Sequence, residues 1–264
     1  MVDGEIGMGI KLIALDLDKT LVHNDGTISD YSVKVLNRCR DKGIKIAIVT
    51  AKSEYSAKKY VDIMDWDIVI TSGGAVARAG EIMIHKALIP KFVLNQMIQD
   101  ALKQPTVECI RVMGEVHELS NKTGLPEGVK DYGHYDYNDL KMPLSEDAWK
   151  IQFETSDILF LEDMVKRYPD CELISYHNED LHKISNVRAN KLEAVRSVCM
   201  TYDINMEEVI AFGDDTSDYN LMKEAGVGVA VLNAIERVKN VADFVCSSNE
   251  EDGVAAFIEK YIGR

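Results

Sequence analysis

Short apolar runs alternate with amphipathic stretches from residue 10 onward. IKLIALD (10–16) is a nearly continuous apolar run, the pattern of a strand buried on both faces. Residues 29–43 then carry Val33, Leu36 and Cys39 near helical spacing, with Ser29 able to cap the start and Gly43 closing the end. IKIAIVT (44–50) reads as a second buried strand, 53–64 as a second helix, and DIVITSGG (67–74) as a third strand running into a glycine turn. Such β-α-β-α-β alternation with short connections predicts an α/β fold with a doubly wound, mostly parallel sheet.

The rhythm breaks in the middle of the chain. Residues 90–103 form an amphipathic helix pattern after Pro90, and VECIRVM and EVHELS flank Gly114 as a hairpin would. WKIQFE (149–154), a helix near 157–168, CELISYH (171–177) and LHKIS (181–185) complete an α+β module, while 121–147 fit no template. After residue 188 the alternation resumes: a helix over 189–203, a strand at 208–214, a helix at 219–226 and a strand at 227–233. A helix at 234–242, a short strand at 243–248 and a closing helix at 253–262 follow. The simplest layout is a discontinuous core, 1–81 with 187–264, interrupted by an inserted cap at 82–186.

Composition narrows the class. The 264 residues are 46% hydrophobic with no run long enough to span a membrane, and MVDGEIGMG lacks the basic start and apolar core of a secretory leader, so the expected location is the cytoplasm. A net charge of −14, with no basic stripe, argues against nucleic-acid binding but leaves room for a small phosphorylated partner. Five scattered cysteines and six histidines show no ligand spacing, which argues against a zinc site and for reduced, packed thiols.

Ligands of open α/β sheets bind beyond the carboxyl ends of the strands. That rule gathers Asp16 and Asp18 after the first strand, Thr50 after the second, and Asp214, Asp215 and Asp218 after a later one, with Lys191 opening the helix that follows the cap. Several carboxylates converging at neutral pH repel one another, and a hard divalent cation resolves that repulsion. Oxygen ligands alone select Mg²⁺.

The same pieces carry a resemblance. DLDKTLV (16–22), IVTAKS (48–53), Asn190-Lys191 and FGDDTSDYNLM (212–222) resemble, in order, the four motifs of the haloacid dehalogenase (HAD) superfamily of phosphatases. The tail from Gly226 to Ile258 resembles the Cof-type branch, whose α/β cap lies between the second and third motifs, and TSGGA (71–75) is similar to its small-residue loop before the cap. The resemblance implies a phosphomonoesterase that forms an aspartyl phosphate on small phosphorylated metabolites such as sugar phosphates. Asp16 would be nucleophile and metal ligand; Asp18 would be acid then base, its backbone carbonyl also on Mg²⁺. Thr50, the Ala51 backbone, Lys191 and Ser217 would hold phosphoryl oxygens, Asp214 would ligate the metal, and Asp215 and Asp218 would orient these groups.

Some letters depart from the family pattern. Lys19 replaces a frequent glycine, Lys52 stands where arginine is common, and Ser217 replaces an asparagine. Asn233 resembles the family's asparagine that ties its loop towards the fourth motif, and the cap of a helix beginning at Ala234 explains it equally well. His134, Tyr135 and Tyr137 could line a cap surface. Two other functions fit the residues: a sugar phosphomutase of the same superfamily, or a phosphate-accepting signalling module. A monomer is the default expectation.

Overall fold

A computed structural model describes residues 9–123, 136–175 and 180–261; His134 and Tyr135 lie outside them, and Tyr137 is exposed. By contacts the chain divides into two compact units, Met1–Lys86 with Asn190–Arg264, and Ala87–Ala189.

The first unit is built on an eight-stranded sheet. Its first half supplies β1 (Leu12–Leu15), α1 (Asp30–Asp41), β2 (Lys45–Val49), α2 (Glu54–Val61), β3 (Ile68–Thr71), β4 (Val76–Ala79) and β5 (Ile82–Lys86). In the second unit follow α3 (Lys91–Ala101), β6 (Val107–Gly114), β7 (Glu118–Ser120), β8 (Asp136–Tyr137), β9 (Ala148–Thr155), α4 (Ile158–Lys166), β10 (Cys171–Ser175) and β11 (Leu181–Asn186). The first unit is completed by α5 (Lys191–Tyr202), β12 (Val209–Gly213), α6 (Tyr219–Glu224), β13 (Val227–Val231), α7 (Glu236–Lys239), β14 (Phe244–Cys246) and α8 (Gly253–Tyr261).

The sheet order is β14-β13-β12-β1-β2-β3-β4-β5. Pairing from β14 to β3 is parallel, and β4 and β5 add an antiparallel hairpin at one edge. The fully buried runs of β1, β12 and β13 are what a parallel sheet covered on both faces demands. Serines start the helices as the sequence predicts: Ser29 accepts from the Ser32 N–H and Ser53 from the Ser56 N–H.

The edge hairpin was not expected. A cap beginning at 82 would have assigned IMIHK to the insertion, yet β5 pairs with β4 across a two-residue loop in which Gly80 takes φ +55. The unit boundaries accordingly fall after Lys86 and Ala189, a few residues beyond the expected 81 and 186. The second unit is a six-stranded sheet, order β10-β11-β9-β6-β7-β8, antiparallel except for β7 with β8. Its apolar face packs against α3 and α4.

All five cysteines are free, and burial pushes thiols such as Cys171 up to about 11, which keeps them unreactive. Among the described residues no helix is long and apolar enough to cross a membrane.

Ser29 does two jobs, capping α1 and donating its hydroxyl to Asp252 Oδ1 at 2.6 Å, which ties α1 to the start of α8. Ser29→Ala is expected to cost about 1–2 kcal/mol, read as a lower denaturant midpoint at unchanged slope.

Candidate active site

The register of the central strands sets the site. Leu15 lies opposite Ile48 on β2 and Phe212 on β12, so Asp16, Thr50 and Asp214 all follow strands that end at nearly one level. The chain runs outward from β1 in one direction to β2 and β3 and in the other to β12, making β1/β12 the switch point where such sheets bind ligands.

Asp16, 6% exposed, extends β1 with its N–H donated to the Phe212 carbonyl. Lys191 is buried at the first position of α5, whose N-cap Asn190 accepts from the Glu193 N–H. Its ammonium donates to Asp16 Oδ1 and to Asp218 Oδ1, each at 2.6 Å. Asp218 is fixed in turn, because its Oδ2 accepts the Asp214 and Asp215 N–H groups, each at 3.2 Å. This tuck needs Gly213, where a Cβ would stand 2.4 Å from that of Asp218. Carboxylate oxygens of Asp16, Asp214 and Asp218 come within 4.8 Å of one another.

Such crowding has electrostatic consequences. Burial, opposed by Lys191 and reinforced by Asp218, pushes the Asp16 carboxyl up to about 8. Burial and the Asp218 charge push Asp214 up to about 6. Against its own desolvation, the two carboxylates hold Lys191 above the usual ammonium range. The donors are hard oxygens in a buried acidic pocket with one counter-charge for three carboxylates, a set that fits a hard divalent cation.

Other expected residues stand nearby in differing ways. Asp18 is exposed and its side chain pairs with Lys52 Nζ at 2.9 Å rather than with the acidic trio, so any metal contact there falls to its backbone carbonyl. Thr50 is fully buried and its hydroxyl accepts the Lys52 N–H, while Ala51 is exposed at the strand end. Asp215 turns back to accept from the Thr216 N–H, and Ser217 is exposed on the same turn.

Three features escaped the sequence. Thr20 donates its hydroxyl to Asp214 Oδ1 at 3.2 Å, joining the first motif to the last. Lys19 takes φ +58, the left-handed conformation that glycine adopts without strain, which accounts for the family's preference at that position. Asn233 does not cap α7, whose N-cap is Ile235; its amide donates to the Lys19 carbonyl at 2.7 Å, tying its loop to the first motif rather than the fourth.

Gly74 positions Lys191 from below. The turn after β3 winds through Ser72, Gly73 and Gly74 at φ +53, +71 and +97. A Cβ on Gly74 would lie 2.2 Å from the Asn190 carbonyl carbon and 2.6 Å from the Lys191 nitrogen. Gly74→Ala should therefore displace α5, lowering both the melting temperature and turnover. Gly80→Ala, at φ +55 with no atom within 4 Å, should cost only about 1–2 kcal/mol and spare turnover.

A pH prediction follows from the raised carboxyls. The metal-stripped folded state binds protons more tightly than the unfolded chain between about pH 4 and 6 at Asp214, and on toward about 8 at Asp16. Its stability falls as pH rises through that window. Melting curves in EDTA should show this decline, and a divalent cation should flatten it.

The sequence model of the haloacid dehalogenase-like hydrolases matches residues 13–258. The chain is 28% identical to 5-amino-6-(5-phospho-D-ribitylamino)uracil phosphatase YitU of Bacillus subtilis (strain 168), covering 95% of this chain and 97% of that one. It is 27% identical to a phosphoglycolate phosphatase of Methanobrevibacter smithii, over 97% of this chain and 100% of the other. Among solved structures, the HAD subclass IIB sugar phosphatase BT4131 superposes with a TM-score of 0.73 at 21% identity, covering 94% of this chain and 98% of that one. With its motifs at the ends of β1, β2 and β12, the chain belongs to the haloacid dehalogenase-like hydrolases and is an enzyme of the HAD phosphatase type.

Proposed function

We propose that the chain is a Mg²⁺-dependent phosphomonoesterase of small phosphorylated metabolites, sugar phosphates among them, working through an aspartyl phosphate on Asp16. The observation that carries this reading is the Asp16 carboxylate at a strand end, gripped by Lys191 at 2.6 Å. A nucleophilic carboxylate must be ionised, and burial alone favours its neutral form. Lys191 opposes that effect and orients the oxygen that it does not bond. The compound for which the YitU phosphatase is named carries its phosphate on a ribityl chain, which favours phosphorylated sugars and sugar alcohols as substrates.

In this reading Asp16 attacks phosphorus and the ester oxygen leaves with a proton from Asp18. Lys52, paired with Asp18 at 2.9 Å, keeps that side chain at the rim of the strand ends. Asp18 then takes a proton from the water that opens the mixed anhydride. The Thr50 hydroxyl, the Ala51 N–H and Lys191 hold phosphoryl oxygens, with Ser217 a further donor on the adjacent turn. Asp16, Asp214 and the Asp18 carbonyl would hold Mg²⁺, with Asp218 orienting Lys191 and Asp215 shaping the turn. Bound there, the ion would neutralise charge on the carboxylates and the phosphoryl group. Residues 87–189 would serve as the cap that screens substrates, and the enzyme would act as a cytoplasmic monomer with no nucleic-acid partner.

The test is turnover of a panel of phosphate monoesters with Mg²⁺ and with EDTA. Asp16→Asn is expected to abolish phosphate release with the circular dichroism spectrum retained, and Asp18→Asn to lower kcat by about 10²–10⁴-fold. Oxygen from labelled water should appear in the released phosphate; label-free transfer to a second sugar position would point to a mutase. Full activity of Asp16→Asn would end the nucleophile assignment.

A further inference from the structure

The six-stranded sheet of residues 87–189 has two unlike faces. One presents Ile110, Val112, Ile151, Phe153 and Ile184 to the helices α3 and α4. Cross-strand register fixes the other. Along one row Glu172 stands opposite Ser185, Ser185 opposite Lys150, Lys150 opposite Met113, and Met113 opposite Glu118. In the next row Lys183 stands opposite Gln152, Gln152 opposite Arg111, and Arg111 opposite Ser120.

The charges on this face are unevenly satisfied. Arg111 pairs with Glu154 at 3.1 Å, and Lys122 lies 4.0 Å from the same carboxylate. Lys150 and Lys183 are half-buried diagonal neighbours, and neither ammonium makes a hydrogen bond or ion pair among the described residues. Burial and the Lys183 charge push the Lys150 ammonium down to about 8, with Glu118 opposing; burial lowers Lys183 too, with Glu172 opposing. Ser185, directly opposite Lys150, is 2% exposed and its hydroxyl has no hydrogen-bond partner among the described residues.

A buried hydroxyl without a partner and two desolvated ammonium groups of like sign are each costly. Packing does not require them, since the opposite face shows how this sheet buries apolar side chains. One anion would satisfy all three groups at once. We propose that this face is an anion-binding site in which Lys150 and Lys183 hold a carboxylate or phosphate group and the Ser185 hydroxyl donates to it. The anion is a free one in solution, and the site does not depend on the phosphatase reading.

The experiment uses the whole protein with ¹³C-labelled lysine side chains, titrated with malonate. Saturable shifts of the Lys150 and Lys183 resonances are expected, and the remaining resonance should stop responding in Lys183→Met or Lys150→Met. Shifts that never appear, or that persist in both variants, overturn the site. Melting temperatures check that the variants fold, and the wild-type titration needs no variant. Failure of the wild-type protein to hydrolyse any phosphate monoester would defeat the phosphatase reading while leaving the malonate titration to judge the site.

Discussion

The buried ammonium of Lys191, shared between Asp16 and Asp218, is the contact on which the site depends. A fully desolvated cation is tolerated in a protein interior only with well-placed counter-charges, and loss of one partner leaves the other charge stranded at a cost of about 3–5 kcal/mol. Satisfying Lys191 therefore forces three distant pieces of chain into one place. Asp16 comes from the end of β1, Asp218 from the turn after β12, and the lysine itself from the chain where it re-enters the first unit. Asp218 can serve only because its second oxygen is occupied by the backbone N–H groups of Asp214 and Asp215. The lysine can reach only because Gly74 lets the backbone of Asn190 and Lys191 pass at a distance no side chain would permit.

This arrangement is electrostatically unfinished. Three carboxylates share one buried cation, and both Asp16 and Asp214 are pushed toward their neutral forms. A purely structural cluster would gain by replacing one of these acids with an apolar residue. Their retention in an otherwise apolar sheet end makes sense when further positive charge arrives from outside the chain, as a hard cation does. The rigid frame matters here, because β1 and β12 are buried along their whole length and cannot relax to separate the charges.

The frame was largely legible in the sequence, because parallel strands covered on both faces leave uninterrupted apolar runs and helix caps leave serine or asparagine in place. Less legible was anything set by a contact between remote segments. Thr20 reads as a turn residue until β12 brings Asp214 beside it. Asn233 reads as a helix cap or a tie towards the fourth motif until its amide is seen on the Lys19 carbonyl, 214 residues away in sequence. The β4–β5 hairpin was missed for a different reason. Its loop signal, Gly80-Glu81, was visible, but an antiparallel pair at the edge of a parallel sheet breaks the alternation from which the core was inferred. Lys19 shows the limit of residue preference as evidence, since a lysine holds the left-handed conformation that glycine would take more cheaply.

The two sheets divide the molecule's chemistry by how tightly each position is constrained. In the eight-stranded sheet, strand ends at one level and buried neighbours on both sides leave little freedom in which residues follow β1 and β12. In the six-stranded sheet, one face is committed to packing against α3 and α4, and alternation leaves the other free of that duty. A residue there can change from lysine to methionine or serine to alanine without opening a cavity in the apolar core. Buried polar groups on such a face therefore point to ligand chemistry, as the acidic trio does at the strand ends of the other sheet.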